Sequence, residues 1–200
     1  RELATNISPA APFAPSVNTP GDLPGGHLLG RWTRKFSKDS DMALQVSYDR
    51  FHRDVFDLEE VINTFDVDFH HRFALGSRND VVWGLDYRLV ADHNYSDIRS
   101  PVQINPKQQT AKMVSAFVQD EFTLIKDKLR LTLGSKFEHN DYSGFEFQPN
   151  VLLLWTPTEK QTLWGAVSRA VRTPSRGQES IRVNVSAFPG AGGVTNILAL

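Results

Sequence analysis

No cysteine occurs among the 200 residues, so neither a disulfide nor a thiolate metal site holds this chain together. That absence does not select cytoplasm over cell envelope. Charge of one sign is also scarce: 22 Lys and Arg stand against 23 Asp and Glu, a formal net charge of −1. No basic excess remains to hold phosphates and no block of like charges forms a solvating tail, so nucleic acid is not expected as a partner. Long apolar runs are missing too. The longest, Val151 to Trp155, falls far short of the roughly 18 consecutive apolar residues of a membrane-crossing helix. The opening residues, Arg1 to Asn6, lack the regions of a signal peptide and do not start with Met, so the chain is expected to be cut from something larger.

What the sequence has is alternation. Period-two patterning recurs in about eight runs, near 27–37, 41–52, 60–74, 80–92, 110–125, 128–138, 145–156 and 160–172. In the third, Val61, Asn63, Phe65, Val67, Phe69, His71 and Phe73 share one face, while Ile62, Thr64, Asp66, Asp68, His70 and Arg72 share the other. The fourth sets Val81, Trp83, Leu85, Tyr87, Leu89 and Ala91 against Val82, Gly84, Asp86, Arg88, Val90 and Asp92. The sixth sets Leu129, Leu131, Leu133, Ser135 and Phe137 against Arg130, Thr132, Gly134, Lys136 and Glu138. Each run has one apolar and one wet side.

The connections alternate as well. Short turns fall at 37–41, 76–80, 126–128 and 157–160, and the intervening links at 53–59, 93–109, 139–144 and beyond 173 are mostly longer and more polar. Strands of about ten residues or more, with short turns at one end, are the pattern of an outer-membrane barrel. Hydrocarbon offers backbone N–H and C=O groups no partner, so strands cross it only in a closed, fully paired sheet. The expected fold is therefore all-β: an antiparallel up-and-down transmembrane β-barrel section of about eight strands. Trp32, Tyr48, Trp83, Tyr87, Trp155 and Trp164 lie near strand ends, as aromatic girdles do. Residues 1–26, punctuated by Pro and Gly, read as an extracellular loop or linker, 27–172 as barrel strands and hairpins, and 173–200 as an incomplete extracellular loop. A soluble sandwich would hide the apolar face in a core, but its strands usually run to about five or six residues.

The residues resemble those of the TonB-dependent outer-membrane receptors. The likeness lies in Phe117 to Phe122 (FVQDEF), Leu129 to Glu138 (LRLTLGSKFE), Gln148-Pro149-Asn150 with Trp155-Thr156-Pro157, and Leu163 to Ser175 (LWGAVSRAVRTPS), in that order. The segment 27–92, with Gly30-Arg31-Trp32 and Thr64 to Phe69, looks similar. The resemblance implies a larger barrel of about 22 strands around an N-terminal plug. It implies import of scarce ligands such as ferric siderophores, haem or cobalamin, and residence in the outer membrane of a Gram-negative bacterium. Outer-membrane lipid is then one partner and the TonB–ExbB–ExbD complex, reached through the plug, another. No plug or TonB-contacting segment is recognisable, and the closing Ile197-Leu198-Ala199-Leu200 lacks a terminal aromatic residue, so a middle section of the barrel is expected.

Candidate functional residues fall into two groups. Arg31, Lys35, Asp66, Asp68, His70, Arg72, Asp86, Arg88, Arg130, Lys136, Glu138 and Arg169 are expected to face the lumen, where the plainer role is hydrating the interior or holding a plug. Loops are the better place for recognition. His93 and Tyr95 within Asp92 to Asp97, and His139 and Tyr142 within His139 to Tyr142, combine hydrogen-bonding and aromatic groups, although ordinary loop composition explains them equally well. Arg169 and Arg172 present planar donor forks to an anionic ligand, and Pro174 marks where a strand leaves the sheet. A siderophore brings its own oxygen ligands to iron, so neither a metal site nor a cofactor is expected. Catalysis is not expected either: His70 and His71 point to opposite faces, and Asp68 with His70 has no nucleophilic serine beside it. Gly190 to Gly193 lacks the lysine of a phosphate loop and reads as flexible. Two further functions stay open, a passive barrel or adhesin closed by eight strands and a soluble carbohydrate-binding sandwich.

Overall fold

The structure is a computed structural model that describes residues 2–6, 17–55, 58–95, 102–189 and 195–199. Two short strands, β1 (Glu2–Asn6) and β2 (Val17–Gly21), pair with each other. Then follow β3 (Gly25–Ser37), β4 (Ser40–Val55), β5 (Leu58–Leu75), β6 (Asn79–Asn94) and the three-residue β7 (Val102–Ile104). Next come β8 (Gln108–Ile125), β9 (Leu129–Asn140), β10 (Gly144–Thr158) and β11 (Gln161–Ser168). A five-residue helix, α1 (Arg176–Ser180), leads into β12 (Ile181–Pro189) and β13 (Thr195–Ala199).

Eight of these strands form one antiparallel meander in the order β11-β10-β9-β8-β6-β5-β4-β3, one for each alternating run of the sequence. Three tight turns use residues that accept left-handed backbone: Gly76 at φ 73°, Asp127 at φ 59° and Gly144 at φ 73°. Register sorts the side chains onto two faces of opposite character. One row across the sheet reads Trp32, Leu44, Phe69, Leu85, Ala116, Phe137, Phe147. The row one residue along, on the other face, reads Arg31, Gln45, Asp68, Asp86, Ser115, Glu138, Glu146.

Burial inverts the usual order of a soluble protein. Ser115 and Asn140 are 2% exposed and Glu138 7%, whereas Leu85 is 51% and Trp155 48% exposed. Val46, Phe65, Val114, Phe137 and Phe147 are exposed on the same face as Leu85. A sheet that covers its polar face and bares its apolar one is a membrane-barrel wall, with the polar face to the lumen. The lumen assignments made from the sequence for residues 31 to 138 all fall on this polar face.

Several links differ from expectation. β4 and β5 run on to Val55 and from Leu58, consuming most of 53–59, and the 139–144 link is a three-residue turn as short as 126–128. Two stretches expected to be loop carry β1 with β2 and β12 with β13. Residues 7–16, the Ser96 to Asp97 part of one candidate loop and Gly190 to Gly193 lie outside the described residues. β11 stops at Ser168, not near 172. Its ladder reaches Pro149, whose carbonyl accepts from the Arg169 N–H but which has no N–H to return. β3 and β11 are the two edges and do not pair with each other, so the eight strands form an open section.

Candidate functional site

The polar face is tied together by charge. Lys136 Nζ lies 3.0 Å from Glu138 and 3.9 Å from Asp86, and the Ser115 hydroxyl donates to Asp86 at 3.1 Å. Arg88 pairs with Asp66 at 2.5 Å, and His70 Nδ1 lies 3.5 Å from Asp68. At the end of the sheet opposite the 126–128 turn, Asn140 organises the tight link between β9 and β10. Its amide donates to Glu138 at 3.0 Å and to the Ser143 hydroxyl at 2.9 Å, and its carbonyl oxygen accepts the backbone N–H groups of Tyr142 and Ser143.

After β11 the chain does not leave the sheet but crosses back over this end of the polar face. Arg169 donates to Glu146 of β10 at 2.9 Å and to the Phe147 carbonyl. The Thr173 hydroxyl reaches Glu138 of β9 at 3.5 Å. Ser175 caps α1 in a capping box with Gln178. Arg176 then pairs with Asp92 of β6 at 3.0 Å, donates to Ser180 Oγ at 2.6 Å, and also reaches the Pro106 carbonyl. Beyond it, β12 pairs with β7. Residues 169–180 are thus a strap fastened in turn to β10, β9 and β6.

Beneath the strap lies a cavity of about 400 Å³ whose walls include Arg88, Lys136, Glu138, Asn140, Tyr142 and Gln148, with Val171 and Thr173 contributed by the strap. Burial, and after it the Asp92 carboxylate, push the Tyr142 phenol above its usual range, while Arg176 pulls it back. Tyr142 therefore enters this site as a neutral hydrogen-bonding phenol.

The sequence-derived candidates divide between the two faces. Tyr142 lines the cavity, Arg169 fastens the strap's first residue, and Arg172 is exposed along it. His93 and His139 stand in β6 and β9, and by register share the outward face with Phe65 and Phe137. His93 stacks on Tyr95, ring centroids 4.0 Å apart. These three do not converge with Tyr142. Sequence reading missed Arg176 and its pairing with Asp92, 84 residues away, and placed Asp92 and Asn140 within candidate loops without a role of their own; only the S-x-x-Q capping pattern at Ser175 signalled that the chain becomes ordered there. Among the described residues no group of three or more His, Asp or Glu is placed to hold a metal.

The comparisons agree with this architecture. The crystal structure of the siderophore receptor PirA from Pseudomonas aeruginosa superposes with a TM-score of 0.64 at 15% identity, over 90% of this chain and 34% of that one. The likeness is one of fold, and this chain spans about a third of that receptor. No curated protein matches. The family model "TonB dependent receptor-like, beta-barrel" matches residues 13–197, nearly the whole length, and the chain belongs to that family.

Proposed function

We propose that this chain forms wall and external loops of an outer-membrane importer that takes up scarce ligands of the ferric siderophore type, energised by TonB–ExbB–ExbD through a plug within the same receptor. The observation that carries the reading is the inverted burial of the sheet, joined to the family match over 13–197. A wall that is apolar outside and ionic inside separates hydrocarbon from an aqueous or plugged lumen. The end bearing the strap faces the cell exterior, because the opposite end carries only tight turns. Tyr142, Arg169 and Arg172 are the ligand-facing candidates at that mouth, and the organic shell of the ligand, not its metal, is what they would grip. The open edges of the sheet favour this role over a passive barrel closed by eight strands.

Two measurements on the full receptor test this. Spin labels at Phe65, Val67 and Leu131 should report acyl-chain contact; contact with water or protein would remove the membrane assignment. A binding screen against ferric siderophores, haem and cobalamin should find one tight ligand, and its affinity should fall when Tyr142 and Arg169 are replaced. Silence across all three ligand classes would overturn the importer.

A further inference from the structure

At the end of the sheet opposite the strap, a hollow of about 900 Å³ lies between two tight turns. The turn joining β5 to β6 supplies Ser77 and Arg78, and the turn joining β8 to β9 supplies Lys126, Asp127 and Lys128. The two turns stand two strand spacings apart, about 10 Å. Backbone bonds fix both: the Arg78 carbonyl accepts the Thr123 N–H at 2.7 Å, and the Lys128 carbonyl accepts the Thr156 N–H at 2.7 Å. Behind the turns, Thr123, Arg130 and Leu154 share one inward row, so the hollow lies on the lumen side of the wall and bilayer lipid does not reach it.

Most of its charge is not spent within the wall. Glu121 takes Arg130 at 3.0 Å and neutralises it. Among the described residues the side chains of Arg78, Lys126, Lys128 and Asp127 have neither an ion-pair nor a hydrogen-bond partner, and all four are exposed. The turns do not need these charges: what the fold uses of Arg78 and Lys128 is a carbonyl, and what it uses of Asp127 is a φ of 59°, which an asparagine adopts as readily. Three free cations and one free carboxylate therefore surround a concave site of the size that holds a small ligand.

We propose that this hollow binds a short peptide bearing several carboxylates and one free side-chain ammonium, the chemistry of the peptide carried by the cell-wall polymer of the periplasm. A plain anion such as phosphate would meet Asp127 among the cations, whereas this zwitterion finds a counter-charge for each of its groups. The Ser77 and Thr123 hydroxyls suit peptide amides, and Leu124 and Leu154 suit methyl and methylene groups. The inference rests on the orientation proposed above, with the strap toward the exterior and these turns toward the periplasm.

The test uses the full receptor in detergent. Calorimetry follows binding of the tripeptide alanyl-glutamyl-diaminopimelate with its N-terminus capped, as it is in the polymer, and sedimentation follows binding to intact wall sacculi. Wild type should bind the tripeptide, more weakly as salt rises. Pelleting with sacculi marks the polymer as the source of the ligand; tripeptide binding without pelleting marks shed fragments. Lys126→Gln with Lys128→Gln should weaken tripeptide binding on the order of tenfold, with the heat-modifiable gel mobility of the barrel unchanged. Acetylating the diaminopimelate amine should weaken binding to wild type, and Asp127→Asn, which keeps the left-handed turn, should erase that difference. No binding by the full receptor, equal binding by the double variant, or equal binding of the acetylated peptide to wild type would each overturn the site. A receptor that grips an external ligand but ignores the tripeptide sinks this inference alone; one that holds the tripeptide and no external ligand sinks the importer alone.

Discussion

Arg176 and Asp92 meet at 3.0 Å with side chains only 16% and 11% exposed, so each shields the other's charge from an incomplete loss of water. Arg176→Gln should leave Asp92 poorly compensated and cost the strap about 2 kcal/mol. Hydrogen exchange would show it as faster opening of the amides of 176–183, with the sheet amides unchanged; Asp92→Asn in the same background should add little, because the pair acts as one unit. A second residue-scale case is Gly84. A Cβ there would lie 2.4 Å from the Phe117 ring and 2.5 Å from the Phe69 carbonyl oxygen, and the latter is backbone that cannot step aside. Gly84→Ala should lower barrel stability by roughly 1–3 kcal/mol. Gly26→Ala meets nothing within 4 Å and should be neutral in the same thermal melt.

At the scale of the element, strand length exceeds what the membrane requires. β5 and β8 have 18 residues each, about 60 Å at the usual rise, and an apolar band about 25 Å tall is crossed by roughly ten tilted residues. The surplus projects beyond the hydrocarbon and carries the outward row Arg50, Asn63, Ala91, Thr110 and the Asn140 turn. The two faces of one sheet should therefore answer differently to the same change. Leu85→Arg, outward and mid-strand, should cost roughly 2–4 kcal/mol in folding into liposomes. Gln45→Arg, inward beside Asp68 in register, should be tolerated, and folding yields of the full receptor by gel shift would separate the two. Strand existence was legible because period two does not depend on neighbours. Strand ends were not: no proline or glycine between Ser168 and Pro174 marks a stop, but Pro149 on the partner strand lacks the donor that would extend β11.

At the scale of the molecule, a two-faced sheet with open edges at β3 and β11 has nothing to cover its apolar side in water. The 200-residue chain alone should aggregate without detergent, and size-exclusion chromatography with light scattering should show large assemblies in place of a monomer. The exposed Leu85, Val114 and Phe137 are the surface such a wall offers to lipid.

By itself the sequence determined the class of fold, the number of wall strands, the tight turns and which residues share a face, because all of these follow from chirality and the two-residue period of a strand, properties local to each segment. Tertiary structure alone decided that His93 and His139 belong to wall strands and not to loops, and that Tyr142 lies beneath the strap. It alone brought Arg176 to Asp92 and fastened 169–180 across the end of the sheet. Those contacts join residues whose separation along the chain carries no periodic signal; they form where the ladder ends at Pro149 and the chain meets carboxylates of β10, β9 and β6.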